Sequence, residues 1–157
     1  ITQWAIAQGL MVIAHDLKEE KCAIARKMGA LIADPRETLK VQWDRSRVRS
    51  VFECAGSAGS VEQAISSAPR GSEVILLGLA NDQVRFKPLQ VVREGISIIP
   101  SLIYDHPRVF RAAIDAVAHD RVHPGKIISG VLPFNSVQAA MELAAGGSET
   151  KIVLSMG

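Results

Sequence analysis

The feature that most constrains this chain is a short apolar run that stops on an acid, Leu10-Met11-Val12-Ile13-Ala14-His15-Asp16. Gly9 opens it, and Leu17-Lys18-Glu19-Glu20-Lys21 leads out into a helical pattern. A run this short, bounded in this way, fits a strand covered on both faces, as in a parallel sheet. The pattern recurs. Val51-Phe52 runs on to Glu53-Cys54, a turn follows between Gly56 and Gly59, and Val61, Ala64, Ile65 and Ala68 then fall at helical spacing. Val74-Ile75-Leu76-Leu77-Gly78-Leu79 is the most apolar stretch, and Ile96, Ile98 and Ile99 start another strand, extended past Pro100 into Ser101-Leu102-Ile103. Strands alternating with helices at this spacing imply an α/β fold with a parallel sheet and crossover helices.

The remaining segments are read in the same way. Ile1, Trp4, Ala5 and Gln8 mark the tail of a helix that Gly9 ends. Cys22, Ala25 and Met28 share a helix face, and Leu31-Ile32-Ala33 is a short strand turned out by Asp34-Pro35. Residues 36–47 are ambiguous, because Leu39, Val41 and Trp43 alternate like a strand while the charge density suits a helix or loop. Val84 and Phe86 alternate with Arg85 and Lys87 as an exposed edge piece would. After residue 103 the rhythm changes. A helix carries Phe110, Ala113, Ile114 and Val117, extended pieces follow at Ile127-Ile128 and at Val131 to Phe134, and a second helix carries Val137, Ala140 and Met141. A final strand runs from Lys151 to Ser155. The expected division is a sheet domain over residues 1–103 and a smaller α+β segment over residues 104–157.

Composition narrows the function classes. Eighteen basic against sixteen acidic residues leave a net charge of +2, too slight for a nucleic-acid surface, and Arg45, Arg47 and Arg49 lack interleaved aromatics. The longest apolar run is too short to span a bilayer, and no signal peptide is visible. Cys22 and Cys54 have no metal-ligand partners nearby and read as buried reduced thiols, which suits a cytoplasmic protein. The chain starts at Ile1, within an uncapped helical pattern, so the expectation is a piece of a longer protein.

Asp16 carries the first chemical signal. It ends its strand at the edge where open α/β sheets bind ligands, and a carboxylate there accepts hydrogen bonds from a vicinal diol such as a dinucleotide ribose. The alternative is a plain N-cap for the following helix. A dinucleotide site also needs a Gly-rich turn about 20 residues upstream of the acid, and that count falls before Ile1. His15, His106, His119 and His123 are not spaced as a metal site, and no nucleophile–histidine arrangement stands out.

Taken together, Asp16, Ala25-Arg26-Lys27-Met28-Gly29-Ala30, Asp34-Pro35, Val51-Phe52-Glu53-Cys54-Ala55-Gly56, the strand ending Leu77-Gly78-Leu79, Leu132-Pro133-Phe134 and Glu149-Thr150-Lys151-Ile152-Val153-Leu154 resemble the zinc-dependent medium-chain alcohol dehydrogenases, with a polyol, butanediol and threonine dehydrogenase flavour. The resemblance implies a Rossmann-type parallel sheet lacking its first strand and glycine loop. It implies that Asp16 binds the adenosine ribose and, by repelling a 2′-phosphate, favours NAD over NADP. Lys21 matches a lysine reaching the same ribose, against a plain solvated charge. Ala55 matches the position beside the adenine, Leu77, Gly78 and Leu79 the strand end that meets the nicotinamide, and Ser101, Leu102 and Ile103 the backbone that receives the carboxamide. Pro100 departs from a common family Gly there. Lys151 matches a basic position facing the pyrophosphate, and residues 36–50 depart from a longer family helix.

The implied activity is hydride transfer between a secondary alcohol, or its ketone, and NAD. In the family a catalytic zinc polarises the alcohol oxygen, but its ligands are expected outside this chain, and these 157 residues alone are expected to be inactive. An unpaired internal sheet edge is expected to make them marginally stable or aggregation-prone. The strand at residues 96–103 is expected to pair across a two-fold axis, giving a homodimer or tetramer. Two other classes fit the residues: a zinc-free quinone reductase-like enzyme, usually NADPH-linked, and a non-catalytic Rossmann module binding a nucleotide or S-adenosylmethionine.

Overall fold

In a computed structural model that describes residues 1–103 and 105–157, the strands expected from the apolar runs form parallel ladders. β3 (Ser50–Glu53), β4 (Glu73–Leu76) and β5 (Ser97–Pro100) make a three-stranded sheet in that order. β1 (Ile13–Ala14) and β2 (Leu31–Ile32) make a two-stranded one, and so do β6 (Gly130–Pro133) and β7 (Ile152–Ser155). All pairs are parallel, so the α/β class with crossover helices holds.

The chain divides into two compact units, residues 11–105 and residues 1–10 with 106–157. Tyr104, the first residue of the expected C-terminal segment, lies outside the described residues.

The core of the first unit follows from side-chain spacing. α4 (Ala58–Ser67) buries Val61, Ala64 and Ile65, the stripe expected of a helix lying on a sheet. Ser57 and Ser60 form a reciprocal capping box at its start. That stripe meets Val51, the fully buried Val74, and Ile96. Residues 36–47 resolve as helix, with α3 at Leu39–Arg45. Leu39, Gln42 and Trp43 are its buried face while Val41 is 53% exposed, so the apparent alternation is incidental. α2 (Glu19–Lys27) buries Cys22, and α5 (Pro88–Glu94) ends at the left-handed Gly95.

Three strand expectations are corrected. β1 is shorter than the apolar run: Leu10 and Met11 are exposed, although Val12 still accepts the Leu31 N–H at 2.9 Å. β1 pairs with β2 alone among the described residues, so it gains order from one side only. Residues 84–86 form no strand. Val84 packs on the core, and the Arg85 N–H donates to Glu62 Oε1 at 2.8 Å. β5 stops at Pro100, and residues 101–103 are exposed.

In the second unit, α1 (Thr2–Ala7), α6 (Arg108–Ala118) and α7 (Val137–Ala145) accompany β6 and β7. The Gln3 amide brackets His123, donating to its carbonyl at 3.1 Å and accepting its N–H at 2.6 Å. Ile127 closes a 3₁₀ turn rather than an extended piece. Among the described residues, only Ala116 and Ala140 are buried in this unit.

Candidate functional site

Ladder register sets the geometry. Glu53 pairs with Leu76, and Leu76 with Pro100, so the chain leaves β3, β4 and β5 at one level on one edge. Ala55, Leu77, Gly78, Leu79, Ser101, Leu102 and Ile103 therefore emerge together there. Ala55, Leu79 and residues 101–103 are exposed, whereas Leu77 and Gly78 are half-buried. The Ser101 N–H still reaches the Leu76 carbonyl at 2.9 Å, the last rung before the chain departs.

The turns beyond β3 and β4 touch. A Cβ built on Gly78 would overlap the backbone of Gly56 and stand 2.5 Å from Glu53 Oε2, so only glycine fits at 78. Gly56 itself has φ +70, a second reason for glycine at this contact.

Glu53 is the residue that sequence reasoning missed. It is 4% exposed. Its Oε1 accepts from the Ala55 N–H at 2.8 Å, the Gly56 N–H at 2.9 Å and the Ser60 hydroxyl at 2.7 Å. Its Oε2 is buried without a hydrogen-bond partner. The signal was parity: Val51 points inward, so Glu53 must too, and Cys54 must not. Cys54 is accordingly exposed, not buried as expected, and both cysteines are free thiols. Desolvation of the sulfur pushes the Cys54 thiol up.

Asp16 lies two residues past β1 and is exposed. Its Oδ1 accepts the Lys18 N–H at 2.9 Å, and its carbonyl accepts the Cys22 thiol at 3.6 Å. The N-cap of α2 is Lys18, so Asp16 shapes the approach to the helix without capping it. Lys21 sits half-buried in the first turn of α2. Lys151 belongs to the other unit. Its backbone, just before β7, is pinned by Ser129, whose Oγ accepts the Lys151 N–H at 3.2 Å, and its side chain is exposed.

Beside β2 a cleft of about 430 Å³ is lined in part by His15, Asp34, Glu37, Lys40 and Gln63. The buried Gln42 amide fastens its rim: Oε1 accepts the Asp34 N–H at 2.7 Å, and Nε2 donates to the carbonyls of Asp34 at 2.8 Å and Glu37 at 3.0 Å. Hydrogen bonds from Arg36 hold the Asp34 carboxyl at about 2. None of the sequence-predicted site residues lines this cleft.

Among the described residues, no group of three or more His, Cys, Asp or Glu is placed to hold a metal ion. The donors among the described residues do not fit a zinc site. No described helix is long and apolar enough to cross a membrane.

Residues 1–119 match the family model for zinc-binding dehydrogenases. The chain belongs to the zinc-binding dehydrogenase family. Among members of known identity, an alcohol dehydrogenase of Geobacillus stearothermophilus is 29% identical over 160 residues, covering 98% of this chain and 46% of that protein. L-idonate 5-dehydrogenase of Escherichia coli K-12 superposes with a TM-score of 0.86 at 18% identity, over 99% of this chain and 46% of that one. A short chain alcohol dehydrogenase from Escherichia coli CFT073, solved with NADH, superposes with a TM-score of 0.85 at 18% identity, over 99% and 48% of the two chains. The solved structures establish a shared fold. This zinc-binding dehydrogenase chain spans about half the length of the curated relatives it matches, or less.

Proposed function

We propose that this chain is the cofactor-holding part of an NAD-linked alcohol or polyol dehydrogenase acting on a secondary alcohol or its ketone. The observation that carries this is the exposed carboxylate of Asp16 just beyond the carboxyl end of a parallel strand. NAD, when bound, accepts the hydride from the alcohol carbon.

The chain's own residues bind and orient. The Asp16 carboxylate accepts the two adenosine ribose hydroxyls, and its charge repels a 2′-phosphate. Lys21, on the following turn, reaches the same ribose. Ala55 leaves room beside the adenine. Gly78 lets a ring approach the backbone, with Leu77 and Leu79 as its apolar flanks, and the backbone of Ser101, Leu102 and Ile103 receives the carboxamide. Residues 11–103 carry the nucleotide, and residues 104–157 pack onto a catalytic domain that supplies the zinc ligands. The protein works in the cytoplasm as a homodimer or a tetramer joined along the β5 edge, where Ile99, Leu102 and Ile103 are exposed.

Calorimetric titration of the chain with NAD and NADP tests this. NAD binds at least about tenfold more tightly, and Asp16→Ala removes that preference while weakening NAD by about tenfold. Equal affinity for the two nucleotides in the unaltered chain overturns the assignment. Tighter binding of NADP points to the quinone reductase-like class, and binding of S-adenosylmethionine alone to the non-catalytic one.

A further inference from the structure

We infer that Glu53 is a positioning residue that locks the turn after β3 to the turn after β4, and so fixes the spacing of the two walls a dinucleotide would bridge. The ligand part of this inference rests on the proposed function; the lock itself does not.

A single residue serves both turns. The side chain gathers the Ala55 and Gly56 N–H groups and the Ser60 hydroxyl on Oε1. The main-chain carbonyl of the same residue accepts the Leu77 N–H at 2.9 Å and the Gly78 N–H at 3.1 Å. The two turns meet where Gly78 lies against Gly56 and the carboxylate, with no room for a side chain.

Helix capping does not explain the acid. Ser57 and Ser60 already complete a capping box on α4. A small hydroxyl at position 53 would leave α4 capped, yet the chain buries a carboxylate there and leaves Oε2 unpartnered against Gly78. Burying such an oxygen is unfavourable, so the residue is poor material for stability alone. Its side chain fixes the Ala55 wall at the point where its main-chain carbonyl ties in the Gly78-Leu79 wall. Sites of this kind depend on supporting hydrogen bonds that fix the groups touching the ligand.

A ligand that meets one wall is insensitive to the lock, whereas one that spans both is sensitive. 5′-AMP and NAD provide that contrast. Two variants of the full chain are compared. Glu53→Gln keeps the size and one acceptor but places an amide nitrogen against Gly78. Ser60→Ala leaves Glu53 intact, removing its bond from the α4 side together with the Ser60 half of the capping box. Amide hydrogen exchange is read at Leu77 and Gly78, and affinity is read for NAD and 5′-AMP.

Exchange at Leu77 and Gly78 rises about tenfold in Glu53→Gln, and rises less in Ser60→Ala although Ser60 lies in α4. NAD weakens by about tenfold in Glu53→Gln while 5′-AMP stays within about twofold. Unchanged exchange in both folded variants overturns the lock. So does equal weakening of NAD and 5′-AMP, which marks general loosening. If Glu53→Gln does not fold, Ser60→Ala carries the same contrast at smaller size. If the unaltered chain binds no NAD but the exchange coupling appears, the lock stands and the nucleotide assignment falls.

Discussion

The two units are made of the same parts, parallel strands and amphipathic helices, yet they bury very different amounts of side chain. In residues 11–105, α3 and α4 lay Trp43, Leu39, Val61, Ala64 and Ile65 against Val51, Val74 and Ile96. In the other unit, the buried described residues are two alanines, Ala116 and Ala140. There α6 leaves Val109, Phe110, Ile114 and Val117 about half exposed, and Phe134 and Met141 are likewise open. The difference lies in layering. Three strands with helices across them enclose a volume, whereas a parallel pair with one helix against it does not. Apolar content alone therefore does not make a core.

The largest test of that contrast is Trp43→Ala beside Phe110→Ala. Trp43→Ala is expected to cost about 3–5 kcal/mol in denaturant unfolding, and Phe110→Ala to stay within about 0.5 kcal/mol. Similar losses at the two sites would break the comparison. Gln42→Ala comes next. It strips the Asp34 N–H and the carbonyls of Asp34 and Glu37 of their amide partner, at about 1–3 kcal/mol, read by the same unfolding curve. Native-state hydrogen exchange sharpens the contrast further: the Val74 amide should exchange only through global opening, while the Val153 amide exchanges through local opening, at least about tenfold faster.

The smallest effect is electrostatic. Asp34 titrates at about 2 instead of 3.8 because Arg36 donates hydrogen bonds to its carboxylate. A folded-state pKa below the unfolded one stabilises the fold above the unfolded value, and that contribution is lost as pH falls from about 4 through about 2. NMR titration of Arg36→Ala should return Asp34 toward 3.8 with little change in melting temperature.

Much of this was legible in the sequence where pattern and packing agree. The Val61, Ala64, Ile65 and Ala68 stripe and Val74 at the heart of β4 are buried as their spacing requires. Residues 36–47 were not legible, because the side chain that reveals their helical face is Gln42, and a buried amide is invisible to a hydrophobic pattern. The overlong final strand had a different cause. Apolar residues continue past Pro100, but pairing rather than apolarity ends a strand, and among the described residues β5 has only β4 beside it. The candidate site was legible as positions and not as geometry. Ala55 and Gly78 stand out separately in the sequence, and the acid that joins their turns does not, because a carboxylate at a strand end suggests solvent.

Strand parity makes this edge intolerant of insertion. Val51 and Glu53 face inward while Phe52 and Cys54 face out. One residue added within β3 would turn the carboxylate to the surface, and one removed would put the Cys54 sulfur in its place beneath Gly78. A thiol accepts hydrogen bonds weakly and could not hold the Ala55 and Gly56 N–H groups. Length variation among related chains should therefore gather in the loop before Ser50 or after Ser67 and leave the eighteen residues between them, the strand, turn and helix, at constant length.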